Sequence, residues 1–400
     1  MNYIIRSLGI AFLASLFIYL SYFDIVIPLI NTILGLLALY FLLQEDKRVW
    51  FFVGAFIGVL WFWWIAVSFK HYDMIWAIPI AIAIISISYA LIFWTIAYIA
   101  QRVTPKYPII IKALGLLVIS YIHPFAFDWF KIELIFVDSY IGIYKWQFAI
   151  VLFAISLSIY KRNLLYLFIT ILAYQPITHN SRPLANIALI TTHTTVEDKW
   201  NENLHSKQFE ALFGSIDKAI KEQKKIVVLP ESVFPIFLNR SPKIIEELQK
   251  RAKDITIVTG GLYWDGKTPR NSTYIFNKDK MSIANKVVLV PFGESNPLPD
   301  FLSDWINEVF YDGAVDYEAS KEVIDYKIDN EIYRNAICFE ATSETLYEKN
   351  PKNMIVISNN GWFNPSTEPI LQKLLLKYYN KKYGTRIYHA INMSDSYVIE

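Results

Sequence analysis

Three residues whose chemistry could support nucleophilic catalysis stand at the ends of predicted strands. Glu231 directly follows an apolar strand, Lys286 precedes the run Val-Val-Leu-Val, and Cys338, the only cysteine, closes a further apolar run. A thiol needs a base before it can attack a carbonyl, and a nearby lysine favours the thiolate and stabilises an oxyanion. In α/β folds such groups meet outside the carboxyl ends of strands. We therefore predict a site in which a glutamate, a lysine and a cysteine act together.

Each of these residues also has an ordinary structural explanation. A lone cysteine is often a small buried hydrophobic residue, and a glutamate or lysine beside a strand usually faces water. Their occurrence together favours the catalytic interpretation. The sequence contains no Gly-x-Ser-x-Gly, no phosphate-binding loop ending in Lys-Ser/Thr and no His-Glu-x-x-His, and its six histidines are scattered. We expect no metal and no other cofactor.

These residues lie in a part of the chain that alternates strands and helices. Short β-branched runs predict the strands, and apolar residues at helical spacing predict the helices between them. Buried strands interleaved with helices indicate an α/β layered domain. The predicted strands are 186–192, 225–229, 255–259, 272–277, 282–290, 333–339, 354–358 and 386–393, and the predicted helices are 201–221, 241–253, 343–349 and 370–383.

The motifs around the three residues resemble those of a known superfamily. Leu-Pro-Glu-Ser at 229–232, Leu-Val-Pro-Phe-Gly-Glu after Lys286, and Ile-Cys-Phe-Glu at 337–340 resemble the Glu-Lys-Cys triad of the nitrilase superfamily. The motif Leu-Val-Pro-Phe-Gly-Glu-x-x-Pro, in a chain whose N-terminal half is apolar, resembles the narrower family of bacterial apolipoprotein N-acyltransferases. Further matches are Lys199-Trp200, Asn271-Ser272 and Asn-Asn-Gly-Trp-Phe at 359–363.

This resemblance implies a polytopic α-helical membrane domain followed by a nitrilase-like (CN hydrolase) α-β-β-α sandwich. Cys338 would take a fatty acyl chain from a phospholipid as a thioester. The chain would then pass to the N-terminal amine of the diacylglyceryl-cysteine of an apolipoprotein. Glu231 would be the general base, and Lys286 would stabilise the oxyanion.

The resemblance also implies roles for residues around the triad. Glu294 and Glu340 match supporting acidic residues, which we expect to orient the lysine and the incoming amine. Trp200, Asn271 and Trp362 are candidate substrate-binding residues, with packing in a core as the ordinary alternative for an aromatic side chain. One departure is Phe339, which replaces the tyrosine common after the cysteine and so removes a hydroxyl group.

The first 176 residues have the composition of a membrane domain. They hold 11 Lys/Arg and 7 Asp/Glu, whereas the remaining 224 residues hold 27 and 29, an ordinary density for a domain in water. We therefore predict a transmembrane domain at 1–176 and a catalytic domain at 177–400. About seven apolar segments approach the length that a membrane-spanning helix needs. They are 4–22, 25–43, 49–69, 75–100, 108–122, 143–160 and 163–175.

The basic residues of the short loops predict an orientation. With the N-terminus in the cytoplasm, inner loops carry six Lys/Arg and outer loops carry two. Seven spans then place the catalytic domain on the periplasmic side of a bacterial inner membrane. If one weak span is false, that domain lies on the cytoplasmic side.

We expect the partners to be a phospholipid, an apolipoprotein and the bilayer, and we expect a monomer. A net charge of +2 argues against nucleic acid. A membrane-tethered nitrilase-like amidohydrolase would use the same triad but pass the acyl group to water. A non-catalytic membrane scaffold is the other alternative.

Two expectations concern the C-terminal part of the chain. Apolar residues at helical spacing between 297 and 311 predict a helix, which could serve either as core or as a lid dipping into the membrane. The resembling family continues beyond the position of Glu400 with further strands and a membrane helix. The sequence is therefore expected to be truncated or to lack that C-terminal anchor.

Overall fold

The computed structural model describes residues 2–122, 127–176, 186–295 and 317–400. Contacts divide the chain into two units, Met1–His179 with Pro365–Tyr378 and Asn180–Asn364 with Tyr379–Glu400. The helix predicted between 297 and 311 lies outside the described residues.

The first unit is helical and apolar. Among the described residues, three helical segments are long and apolar enough to cross a membrane: Asn2–Tyr22, Lys47–Tyr72 and Ile75–Val103. The shorter apolar helices are Pro28–Gln44, Pro108–Ile119 and Leu164–Ala173. The α-helices are α1 (Asn2–Tyr22), α2 (Pro28–Gln44), α3 (Lys47–Phe62), α4 (Ile78–Val103), α5 (Pro108–Ile119) and α6 (Lys145–Lys161), with 3-10 helices at Trp63–Tyr72 and Leu164–Ala173.

Close packing of α3 on α4 depends on two glycines. A Cβ atom on Gly54 would lie 2.4 Å from the carbonyl oxygen of Tyr89, and one on Gly58 would lie 2.9 Å from the Tyr89 ring. Glycines four residues apart present one smooth face of α3, so the two backbones can approach closely. This is the small-residue packing typical of helices in lipid.

A lysine within the apolar helix α5 has a structural explanation. Lys112 is buried, and its Nζ atom donates to the carbonyl oxygens of Leu43 and Glu45 at the end of α2. The last carbonyls of a helix have no partner within the helix. Lys112 therefore caps α2 from a neighbouring helix, which explains why the apolar segment at 108–122 contains a charge.

The second unit contains short helices and eleven described strands. The strands are β1 (Ile187–Leu189), β2 (Ile226–Val228), β3 (Phe234–Phe237), β4 (Thr256–Trp264), β5 (Pro269–Asn277), β6 (Lys280–Asn285), β7 (Asp325–Ile328), β8 (Glu331–Ile337), β9 (Asn353–Asn359), β10 (Arg386–Asn392) and β11 (Tyr397–Ile399). The helices are α7 (Val196–Lys199), α8 (Glu202–Lys221), α9 (Pro242–Arg251) and α10 (Glu368–Tyr383), of which α10 lies partly in each unit.

The described strands form two sheets. The six-stranded sheet has the order β1-β2-β4-β5-β6 with β3 beside β4, and the five-stranded sheet has the order β11-β10-β9-β8-β7. In the first sheet β1, β2 and β4 are parallel, and in the second β8, β9 and β10 are parallel. Parallel strands need crossover connections, which helices α8 and α9 supply in the first sheet.

Alternation along β2 separates two hydrophobic cores. Val227 packs with Leu212 and Ile216 of α8 and Leu248 of α9. Its neighbour Val228 belongs to a second core, formed by residues of both sheets. Because successive strand residues point to opposite faces, helices cover one face of the first sheet and the second sheet covers the other.

The predicted elements are found with shifted ends and several omissions. The strand predicted at 282–290 ends at Asn285, so Lys286 stands after a strand rather than within it. The helix predicted at 343–349 is a short 3-10 turn at Glu344–Tyr347. Strands β3, β7 and β11 were not predicted: β3 contains Pro235, β7 alternates charged and apolar residues over four positions, and β11 has three residues. The structure thus has the predicted order, an apolar helical domain followed by an α/β domain with two sheets.

A buried histidine in β10 makes stability depend on pH. His389 is fully buried, with Tyr397 Oη 3.0 Å from its Nδ1 and Ser358 Oγ 2.6 Å from its Nε2. Burial lowers its pKa from 6.5 to about 3. Unfolded chains therefore bind a proton below pH 6.5 that the folded chain does not. This group should weaken the fold by up to about 1.4 kcal/mol per pH unit as the pH falls from 6.5 towards 3.

The variant His389→Gln should reduce the loss of melting temperature between pH 7.5 and pH 5. The comparison with the parent chain isolates the histidine, because all other titrating groups are shared. Equal losses in the two proteins would show that His389 does not contribute to this pH dependence.

Candidate active site

A sharp turn after β2 positions Glu231. The strand runs into Leu229-Pro230, and Ser232 directly after the glutamate has a left-handed φ of 48°. Gly260 of β4 passes against this turn, where an added Cβ atom would lie 2.4 Å from the Ser232 backbone nitrogen. Only glycine permits that approach. The turn buries the Glu231 side chain next to the sheet.

Cys338 occupies a similar turn at the end of β8. Its φ of 53° lies in the left-handed region, and it begins the 3-10 helix Cys338–Thr342. A non-glycine residue held in this conformation stores strain, which is common at functional sites. Cys338 is partly exposed.

Lys286 lies directly after β6, and Glu294 reaches it from the following turn. The Lys286 backbone N–H donates to the Asn271 carbonyl at 2.9 Å, which continues the pairing of β5 with β6. Its Nζ atom lies 2.7 Å from Glu294 Oε2 and 4.0 Å from Glu231 Oε1. Lys286 is 1% exposed. Glu294 is thus the carboxylate in direct contact with the lysine, and its orienting role stays a prediction.

Asn271 connects the two carboxylates. Its Nδ2 atom donates to Glu231 Oε1 at 2.7 Å and to Glu294 Oε1 at 2.9 Å. Its Oδ1 atom is buried without a hydrogen-bond partner among the described residues. Asn271 therefore lies inside the cluster and orients both carboxylates, in addition to any contact with substrate.

The Glu340 carboxylate accepts hydrogen bonds from backbone N–H groups rather than from a side chain. Its Oε2 atom accepts from the N–H groups of Val287 at 2.7 Å and Val288 at 3.1 Å, and its Oε1 atom accepts from Ile337 N–H at 2.8 Å. The carboxylate thus ties the segment after Lys286 to the residue before the cysteine. Burial raises the pKa of Glu340 to about 7, against the opposing effects of Lys286 and the three N–H groups.

Burial and charge act in opposite directions on the ion pair. Burial raises the pKa of Glu231, although Lys286 and the Asn271 hydrogen bond oppose it. Burial alone would lower the pKa of Lys286, but Glu294, Glu231 and Cys338 outweigh it and hold that pKa above its ordinary range. The lysine therefore stays protonated. A glutamate with a raised pKa is a stronger base, as proton abstraction from a thiol requires.

Lys199 lies in the site, although the sequence analysis named it only within the matching dipeptide Lys199-Trp200 and assigned it no role. It is 2% exposed, and its Nζ atom donates to the Glu231 carbonyl oxygen at 3.2 Å. A lysine in a polar segment normally indicates a solvated surface. The sequence pattern therefore could not have predicted its burial.

The two candidate tryptophans lie in segments next to the site, whereas Asn271 contacts its carboxylates directly. Trp200 directly follows Lys199 and is 42% exposed. Trp362 is half-buried in the 3-10 turn Asn360–Phe363 after β9. A Cβ atom on the neighbouring Gly361 would lie 3.4 Å from Val196 at the start of α7. The turn with Trp362 and the helix before Trp200 are thus packed together.

Among the residues that the structure describes, no group of three or more His, Cys, Asp and Glu side chains could hold a metal ion. The site instead contains two carboxylates, Glu231 and Glu294, that Asn271 bridges and that lie beside the Lys286 Nζ atom. Such a set can move protons and stabilise negative charge.

Comparisons with known proteins identify the family. A family model described as the apolipoprotein N-acyltransferase integral membrane domain matches residues 1–178. The apolipoprotein N-acyltransferase of Wolinella succinogenes is 39% identical over 404 residues, which cover 98% of this chain and 96% of the relative. The chain belongs to the apolipoprotein N-acyltransferase family. The expected family resemblance is thereby confirmed.

Other family members and solved structures are also similar to this chain. The apolipoprotein N-acyltransferase of Campylobacter jejuni is 36% identical over 99% of the chain and 89% of the relative. The apolipoprotein N-acyltransferase of Helicobacter pylori is 32% identical over 92% of this chain and 87% of the relative. A CN-hydrolase superfamily protein from Xanthomonas campestris is 13% identical, with a TM-score of 0.41 over 54% of this chain and 82% of that one. Saccharomyces cerevisiae Nit3, of the nitrilase superfamily, is 18% identical, with a TM-score of 0.40 over 55% and 85%.

Proposed function

We propose that this family member transfers a fatty acyl chain from a phospholipid to the N-terminal amine of an apolipoprotein, through a thioester on Cys338. The observation that carries this proposal is the buried cluster in which Lys286 lies 2.7 Å from Glu294 and 4.0 Å from Glu231. It places a base and a permanent positive charge side by side. The family relationship supplies the acyl-transfer chemistry.

The first half-reaction forms the acyl-enzyme. Glu231 takes the proton from the Cys338 thiol, and the sulfur atom attacks the ester carbonyl of the phospholipid. Lys286 stabilises the oxyanion of the tetrahedral intermediate. When the ester carbon–oxygen bond breaks, Glu231 gives its proton to the departing lysophospholipid oxygen. The acyl chain stays on the Cys338 sulfur as a thioester.

The second half-reaction passes the acyl chain to the amine. The free α-amine of the diacylglyceryl-cysteine attacks the thioester carbonyl, and Glu231 takes a proton from the amine nitrogen. The carbon–sulfur bond then breaks, and Glu231 gives that proton to the Cys338 sulfur. A thioester is suited to this step because a thiolate leaves readily while an amine attacks well. Glu231 therefore returns to its carboxylate form after each half-reaction, and Cys338 returns to its thiol form only after the second.

We further propose that the catalytic domain acts on the periplasmic side of the bacterial inner membrane. The excess of basic residues in the loops that a cytoplasmic N-terminus places inside supports this orientation. The phospholipid and the lipoprotein acceptor both lie in that membrane. Acyl transfer by a monomer then needs no partner other than its two lipid substrates.

The test is to identify the acceptor of the acyl chain. The full chain in vesicles of phosphatidylethanolamine and phosphatidylglycerol, labelled in their acyl chains, is mixed with a diacylglyceryl-cysteine peptide. Mass spectrometry should find one added acyl chain on the peptide amine and an equal amount of lysophospholipid. A peptide whose amine is acetylated is the control. Labelled free fatty acid without acylated peptide would instead identify a hydrolase.

The variant Asn271→Asp tests the carboxylate bridge in the same assay. It replaces two donated hydrogen bonds by a third carboxylate facing Glu231 and Glu294, so we expect kcat/KM to fall about 10²-fold or more. Asn277→Asp makes the same chemical change at the far end of β5 and should retain parental activity. Parental kcat/KM in a folded Asn271→Asp protein would rule out the bridge as a requirement.

A further inference from the structure

We propose that Lys199 is a positioning residue for this reaction, one that fixes the turn carrying Glu231 and adds a second buried positive charge to the site. The inference rests on the proposed function, because it assigns Lys199 a role toward the proposed base and nucleophile. Lys199 itself is neither the base nor the nucleophile.

A short, well-fixed segment holds Lys199 in place. The helix α7 begins at Thr195, whose Oγ1 accepts from Asp198 N–H at 3.1 Å and whose carbonyl accepts from Lys199 N–H at 3.0 Å. The Lys199 carbonyl lies 3.1 Å from His205 Nε2 on α8. Gln208 Nε2 donates to the Asp198 carbonyl at 2.7 Å. Both ends of α7 are thus fastened, so its lysine approaches the site in one orientation.

The lysine contacts the backbone of the base rather than its carboxylate. Nζ donates to the Glu231 carbonyl oxygen at 3.2 Å, on the strained turn where Ser232 has a left-handed φ. Gly260 packs against the same turn. The turn is therefore held by the lysine and by the glycine, while the Glu231 carboxylate accepts from Asn271. Lys199 therefore fixes where the base stands without itself donating a hydrogen bond to the carboxylate.

The buried charge also acts on the nucleophile. Burial lowers the pKa of Lys199 to about 8, and the charges of Glu231 and Cys338 oppose that effect. A lysine is seldom buried this fully, because desolvation of its charge destabilises the fold. A role in packing alone would be met better by an apolar residue, so a buried lysine at this position points to function.

The single cysteine allows a direct test. The rate of iodoacetamide alkylation measured against pH in the substrate-free chain reports the thiolate of Cys338 alone. For Lys199→Met we expect the pH midpoint to rise by about one unit, with about tenfold slower alkylation at neutral pH. Glu231, Glu294, Glu340 and Lys286 remain in the variant. Lys207→Met removes the same charge from an exposed position on α8 and should leave the midpoint unchanged.

Two further variants separate charge from hydrogen bonding. Lys199→Gln can still donate to the Glu231 carbonyl but lacks the charge, and its midpoint should rise as in Lys199→Met. Lys199→Arg keeps the charge and should keep the parental midpoint. A parental midpoint in folded Lys199→Met and Lys199→Gln would overturn the inference, and so would a raised midpoint in Lys199→Arg. If the parent chain instead forms no acyl-enzyme from labelled phospholipid, the proposed function fails whatever the alkylation shows.

Discussion

Replacing Cys338 by alanine is expected to abolish acylation of the diacylglyceryl-cysteine peptide, with a loss of about 10⁴-fold or more. The proposed thioester cannot form without the sulfur atom, and the chain contains no second cysteine to replace it. The measurement is the initial rate of peptide acylation in phospholipid vesicles. Cys338 is partly exposed at a turn, so the smaller side chain should leave the fold intact.

Cys338→Ser is the matched variant for this prediction. A serine hydroxyl has nearly the same size but is not ionised by a carboxylate base, and an oxygen ester passes its acyl chain to an amine less readily. Acylation should therefore be severely reduced, and any acyl-enzyme that forms should accumulate as an ester. A folded Cys338→Ala protein with parental activity would remove the cysteine from the reaction and favour a non-catalytic scaffold.

Replacing Glu231 by glutamine is expected to reduce kcat/KM by about 10²- to 10⁴-fold, the range typical for loss of a general base. Glutamine has almost the same shape and can still occupy the turn beside Gly260. In the parent chain, activity should fall as the pH drops through the raised pKa of Glu231, because the reaction needs its carboxylate form. The remaining activity of Glu231→Gln should lack that acid limb.

The control for this variant is Glu246→Gln on the exposed face of α9, which removes the same charge far from the turn in sequence. It should retain parental activity and the parental pH profile. Parental kcat/KM in Glu231→Gln would contradict the assignment of Glu231 as base. An unchanged acid limb in the glutamine variant would assign that limb to another group, with Glu340 the first candidate because its pKa is raised to about 7.

The sequence predicted the residues of the site better than their contacts. Glu231 and Cys338 stand at strand ends, a position that short apolar runs reveal without knowledge of the sheet, whereas Lys286 was predicted inside a strand and lies directly after one. The bridge through Asn271 could not be predicted, because it depends on β5 placing an amide between carboxylates from two different loops. The three backbone contacts of Glu340 depend on the register between two segments that are far apart in sequence.

The fold was predictable to the level of layers and less so in detail. Apolar strands with helices between them indicated an α/β domain. The short strands β1 and β2 lie within longer apolar runs and were recognised, whereas β7 and β11 do not and were missed. In the first unit, Lys112 made the segment at 108–122 a weak span. Its role as a cap for α2 requires the packing of two helices, which no local pattern contains.

Trapping the acyl-enzyme tests the central claim most directly. The full chain is incubated with vesicles labelled in their acyl chains and without acceptor peptide, and the protein is then denatured, digested and analysed by mass spectrometry. We predict one labelled acyl chain on the peptide that contains Cys338, removed by neutral hydroxylamine, and no such adduct in Cys338→Ala. A folded, lipid-embedded chain that acylates the acceptor peptide but carries no adduct on Cys338 would contradict the thioester mechanism.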